Sequence, residues 1–182
     1  PRSRGLGDVY KRQIKYGCSK SLEAAINKNT AAVLIEPIQG EGGIIVPPEN
    51  YLKEVRSICT KNNVLMLLDE IQSGLGRTGK LFAYQHSCGN CSCDIGCKTN
   101  QPQESKPDGL ILGKALGGGF MPVSCFLSSK EVMQWMNPGS HGSTFGGNPL
   151  AAAIAKRSIE LLDEDKLIAV SYTHLRANET SV

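Results

Sequence analysis

The chain has 182 residues, of which 40% are apolar and 20% charged, and a formal net charge of +3. That is enough sequence and apolar content for one globular domain with a substantial core, and it excludes wholesale disorder. The basic residues are dispersed and leave no nucleic-acid footprint, no apolar run approaches the roughly 20 residues that span a bilayer, and the N-terminus lacks the apolar centre of a signal peptide, so neither secretion nor a membrane partner is expected.

In chain order, residues 1–13 (PRSRGLGDVYKRQ) show neither helical nor strand periodicity and read as a non-native tail, as do residues 170–182 (VSYTHLRANETSV). Both look like translated adapter sequence, so residues 14–169 carry the fold reasoning. Within them, AAVLIEP (31–37) is a short buried strand. PENYLKEVRSICTKNN (48–63) is an amphipathic helix with Tyr51, Leu52, Val55 and Ile58 at helical spacing. VLMLL (64–68) is a second strand; after a long loop, GLILG (109–113) and VSCFLSS (123–129) are a third and a fourth. A helix is expected from about Lys130 to Met136 and another from Asn148 to about Asp163, the latter with Asn148 as cap and Pro149 at its first position. Strands separated by helices, with continuous apolar runs, predict an α/β domain whose mostly parallel sheet is buried on both faces.

Seven cysteines divide unevenly: Cys18, Cys59 and Cys125 are scattered, whereas Cys88, Cys91, Cys93 and Cys97 share one loop, which is no secreted disulfide framework. Those four, with His86, have the ligand chemistry of tetrahedral zinc, but only Cys88 and Cys91 show knuckle spacing. A flexible insertion with reduced thiols, and no bound metal, is the favoured reading.

The polar residues fall where such a sheet exposes chemistry. Glu36 ends the first strand, Asp69 and Glu70 end the second, and Lys114 lies just past the third. Ligands of open α/β sheets bind outside the carboxyl ends of the strands, so one crevice can gather all of them. GLGRTGK (74–80) matches the glycine and lysine spacing of a phosphate loop and follows an acidic strand, which raises a nucleotide-binding ATPase as an alternative. Against it, Leu81 stands where a magnesium-binding hydroxyl belongs, and the order of loop and acidic strand is inverted. Pyridoxal phosphate (PLP) chemistry fits better. A cofactor lysine needs a short rigid segment, and ILGKALGGG places Lys114 between an apolar strand and a glycine-rich turn. A carboxylate opposite the pyridine nitrogen keeps the ring an electron sink, and Asp69 is suitably placed.

EPIQGEGG (36–43), DEIQSGLGRTGK (69–80), LGKALGGG (112–119) and HGSTFGGNPLAAA (141–153), in that order, resemble the class III aminotransferases of PLP fold type I, in particular the ornithine and acetylornithine branches. The resemblance implies that residues 14–169 are the central part of the large PLP-binding domain, and that the parent enzyme passes the δ-amino group of ornithine to 2-oxoglutarate by a ping-pong route. Acetylornithine and other ω-amino donors are the alternatives. The cytoplasm or mitochondrial matrix is the matching compartment. By the same likeness Lys114 bonds the cofactor and shuttles a proton, Asp69 pairs with the pyridinium nitrogen, Ile71 packs on the ring, and Gln72 bonds near the ring hydroxyl. Ser143 and Thr144 match an element that reaches the phosphate held by a neighbouring subunit, which implies a homodimer. Glu41 matches a glutamate that pairs with an arginine and switches as amino-acid and 2-oxo-acid substrates alternate. Glu36 is expected to support Gln72. Two departures stand out: extra residues at about 87–106, and no counterpart of the family's N-terminal phosphate turn or C-terminal domain. The stretch alone is therefore expected not to turn over.

Overall fold

The computed structural model describes residues 11–88 and 105–169. Eight regular elements follow one another: α1 (Ser19–Ala25), β1 (Ala32–Ile35), α2 (Tyr51–Lys61), β2 (Leu65–Asp69), β3 (Gly109–Leu112), β4 (Cys125–Ser128), α3 (Lys130–Met133) and α4 (Pro149–Glu164). The strands form one sheet in the order β1-β2-β3-β4. The first three are parallel and β4 runs antiparallel to β3 along the edge. This is the mostly parallel α/β sheet that the apolar runs predict.

Register decides which side chains share a face. Val33 pairs with Met66, Ile35 with Leu68, and Leu68 with Leu110, so these residues line up on one side of the sheet. All are buried, and they join Tyr51, Leu52, Val55 and Cys59 of α2 and Leu22 of α1 in a single core. The other side differs from expectation. Leu34 is 62% exposed and Phe126 37%, so among the described residues this face of the sheet is left partly open, while on the core side only the edge residue Leu127, at 49%, is comparably exposed. A continuous apolar run marks a strand that is able to face apolar layers on both sides; it does not supply the second layer.

A half-buried clamp joins α2 to the sheet. Oδ2 of Asp108, just before β3, accepts from Arg56 Nη1 and from the Met66 amide, each at 2.7 Å. Arg56 thus ties the helix to the start of two neighbouring strands. At the far end of the chain, Asn148 Oδ1 accepts from the Ala151 amide at 2.8 Å and Pro149 opens α4, as the cap chemistry predicts. The helix expected to run to Met136 stops at Met133; beyond it the amides of Trp135 and Met136 bond only three residues back, to Val132 and Met133, as in a turn.

Candidate active site

Parallel pairing brings the carboxyl ends of β1, β2 and β3 together at one edge, and each end delivers a polar group. Asp69 is the last residue of β2. Its Oδ1 accepts from the Ile71 amide at 3.0 Å, so the carboxylate braces the turn that follows, while Oδ2 takes no hydrogen bond among the described residues. β3 ends at Leu112, and Lys114 opens a 3-10 turn (Lys114–Gly117) with a positive φ of 43°. That turn is closed by Gly118 at φ 58°, against which α4 packs so closely that a Cβ there would lie 2.5 Å from Ser158 Oγ. A side chain is excluded, and the turn is set by the helix behind it.

Two of the predicted site residues touch. Lys114 Nζ donates to Gln72 Oε1 at 2.8 Å across a separation of 42 residues. Ile71, half-buried, lies over the backbone before the lysine, where a Cβ on Gly113 would meet its Cγ2 at 3.2 Å. Glu36 reaches the site indirectly. Its Oε2 accepts from the Gly40 amide at 3.1 Å, and Gly40 lies directly under the Gln72 carboxamide. The carbonyls of Glu36 and Pro37 in turn accept from the Tyr16 hydroxyl at 2.9 and 3.0 Å, and burial pushes that phenol well above its ordinary range.

The remaining predicted residues stand apart. Glu41 is exposed in the tight loop closed by the Gln39–Ile45 bridge, with no ion pair among the described residues. Ser143 and Thr144 are also exposed, and the Ser143 hydroxyl accepts from the Gly146 amide at 2.9 Å. Neither hydrogen-bonds Lys114, Asp69 or Gln72.

Glu70 is a site-shaping residue to which the sequence reading gives no role. It is 1% exposed, and its carboxylate takes three donors: Ser73 Oγ at 2.8 Å, the Ala83 amide at 3.0 Å and the Tyr84 amide at 2.9 Å. Burial raises the carboxyl above its usual value and the three donors oppose that rise. The result is a pin between the end of β2 and the 3-10 turn Ala83–Ser87, with residues 71–82 looped between. Strand alternation holds the signal for it: Met66, Leu68 and Glu70 share the buried side, and Leu67 and Asp69 the other.

The rival chemistries have less behind them. The glycine-rich stretch 74–80 runs into that 3-10 turn and opens no α-helix, and Lys80 Nζ donates to the Gln85 carbonyl at 3.2 Å. Cys91, Cys93 and Cys97 lie outside the described residues. Cys88 is buried with Sγ 3.0 Å from Ser105 Oγ, and His86 Nε2 is engaged with Thr78. Among the described residues no cluster of three metal-ligating side chains occurs.

The lysine that opens the turn after β3, the carboxylate that ends β2 and the glutamine that touches the lysine thus lie at the carboxyl edge of one parallel sheet, where open α/β sheets bind ligands. The family model described as aminotransferase class-III matches residues 8–174. The chain belongs to the class-III aminotransferases. Enzymes of this class are transferases that use pyridoxal phosphate. Ornithine aminotransferase 2 of Staphylococcus saprophyticus is 50% identical to this class-III chain over 165 residues, which are 89% of the chain and 38% of that relative. Ornithine aminotransferase of Bacillus subtilis is 50% identical over 166 residues, 90% of the chain and 37% of that relative. The chain thus spans less than two-fifths of the relatives' length. Among solved structures, ornithine δ-aminotransferase of Plasmodium falciparum superposes with a TM-score of 0.75 at 43% identity over 86% of this chain and 37% of that one. Acetylornithine aminotransferase of Elizabethkingia anophelis gives 0.73 at 45% identity, again over 86% of this chain, and 36% of that one. Nothing in these likenesses supports the nucleotide-binding alternative. Among the described residues of this class-III chain, no helix is long and apolar enough to cross a membrane.

Proposed function

We propose that this chain is the central part of the cofactor-binding domain of an enzyme that moves the δ-amino group of ornithine to 2-oxoglutarate, giving glutamate semialdehyde and glutamate in two alternating half-reactions. The observation that carries the reading is the 2.8 Å contact between Lys114 and Gln72 at strand ends that also present Asp69. When bound, pyridoxal phosphate supplies an electron sink for charge developing on the substrate carbon. Lys114 contributes the amine that holds the cofactor and then carries a proton to and from the substrate Cα. Asp69, whose Oδ2 is open, would pair with the ring nitrogen and favour its protonated form. Ile71 would pack against the cofactor ring and keep water from it, and Gln72 would hold the lysine and hydrogen-bond near the ring hydroxyl. Glu36 fixes the floor beneath Gln72 through Gly40. Ser143 and Thr144, exposed on a long surface segment, are offered to the phosphate held by a second copy in a homodimer. Glu41, at the tip of its loop, pairs with an arginine while one substrate is bound and releases it for the other.

Ornithine as donor is supported by the names of the relatives, and acetylornithine is the second reading because an acetylornithine aminotransferase structure is 45% identical. The test is made on a chain of the relatives' length that contains this stretch. Glutamate formation from 2-oxoglutarate is measured with ornithine, acetylornithine and 4-aminobutyrate as donors. Ornithine is expected to give the highest kcat/KM, and Lys114→Ala to abolish turnover with all three. A higher kcat/KM for acetylornithine would move the assignment to that donor, and activity surviving in Lys114→Ala would refute the site.

A further inference from the structure

We infer that Gly40 is a positioning residue of the site: the missing side chain at this position is the seat on which the Gln72 carboxamide rests, and through it the orientation of the Lys114 amine is set. The inference rests on the reading of Gln72 as a partner of the lysine and adds a residue to which that reading gives no role.

The geometry is one of direct exclusion. A Cβ built on Gly40 would lie 2.4 Å from Gln72 Cδ, 2.5 Å from Oε1 and 2.6 Å from Nε2, so no larger residue coexists with the carboxamide where it stands. Gln72 Oε1 is the acceptor of the lysine contact. The backbone of Gly40 has no freedom to retreat. Its amide donates to Glu36 Oε2 at 3.1 Å, and its carbonyl accepts from the Gly43 and Ile44 amides at 3.0 Å each. The neighbouring isolated bridge between Gln39 and Ile45 closes the loop with reciprocal backbone bonds of 3.0 and 2.9 Å. The Tyr16 hydroxyl fixes the carbonyls just before the loop. Gln72, by contrast, is an exposed flexible side chain, so an added methyl displaces the amide and leaves the loop in place. Gly40 has no positive φ, so the left-handed strain that disfavours a side chain does not arise there. The glycine is therefore required by the neighbour it accommodates, not by its own backbone.

The test uses the 182-residue chain and pyridoxal phosphate itself as probe, at low concentration, with borohydride reduction and peptide mapping of the labelled lysines. The readout is the share of label on Lys114 relative to the other lysines. Loss of one exposed hydrogen bond to the amine corresponds to a fall of about threefold in Gln72→Ala. Gly40→Ala is expected to fall by the same factor, and the double variant no further. Gly42→Ala is expected to match the parent, because its Cβ would meet Gln39 at ordinary contact distances of 3.6–3.8 Å. Circular dichroism and the melting midpoint of Gly40→Ala are expected to match the parent. If Gly40→Ala is destabilised, introducing it into a Gln72→Gly background restores the melting midpoint, because the clash is gone. An unchanged label share in Gly40→Ala beside a fall in Gln72→Ala would overturn the seat while leaving Gln72 in its role. No change in either variant would remove both, and additive losses or a defect that persists with glycine at 72 would show that Gly40 acts by another route and overturn the inference.

Discussion

Lys114 occupies the left-handed region at φ 43°, where a side chain is strained, because the turn that carries it is wedged between β3 and α4. Functional positions are where proteins tolerate such strain, which agrees with the role proposed for Lys114. Replacing Lys114 with glycine relieves the conformation and sacrifices one exposed hydrogen bond, so urea unfolding of Lys114→Gly is expected to show a gain of roughly 1 kcal/mol. A loss of similar size would mean that the lysine side chain stabilises the turn. Glu70 has the opposite character: it is a charge held for structure. Glu70→Ala removes the carboxylate to which the buried amides of Ala83 and Tyr84 donate, and a destabilisation of about 3 kcal/mol is expected from the same measurement. The sequence shows two adjacent acids and not which one faces inward. Strand alternation resolves that only once β2 is known to end at Asp69.

Among the elements, the strands and α2 were legible because their apolar spacing has one interpretation, and α4 because Asn148-Pro149 is cap chemistry. Helix α1 was not, since Leu22 is its sole buried side chain and leaves no periodic stripe. Both 3-10 turns were equally silent, being fixed by tertiary partners: Glu70 for one and the packing of α4 for the other. The turn Ala83–Ser87 also holds His86, whose Nε2 lies 3.0 Å from the Thr78 carbonyl. Burial lowers the His86 pKa below its ordinary 6.5, and the nearby Lys80 charge adds to the effect. With the folded value depressed, stability is complete above 6.5 and declines as pH falls, because the unfolded chain takes up the proton first. The slope is shallow because the ring is partly exposed. Thermal melts between neutral and mildly acidic pH are expected to drop more for the parent than for His86→Gln; parallel drops would detach His86 from the effect.

At the scale of the molecule, several large apolar side chains stay outside the core. Phe120 is 87% exposed, Trp135 77% and Phe145 78%, all on the segment between β3 and α4 that also carries Ser143 and Thr144. If these side chains form one face of the proposed homodimer, sedimentation of the 19.5 kDa chain is expected to show a dimer or larger species whose share grows with concentration. A strictly monomeric boundary would argue against that face joining copies. The family was readable from four ordered motifs, whereas the covering of the second sheet face was not, because a strand's composition says what it tolerates and not what is present.

The most direct trial of the whole account is where pyridoxal phosphate attaches. After incubation of the chain with the cofactor, borohydride reduction and peptide mapping, the label is predicted to concentrate on Lys114 and to fall in Asp69→Asn. Label spread evenly over the exposed lysines, or gathered on another one, would contradict the claim that residues 69 and 114 serve a single ring.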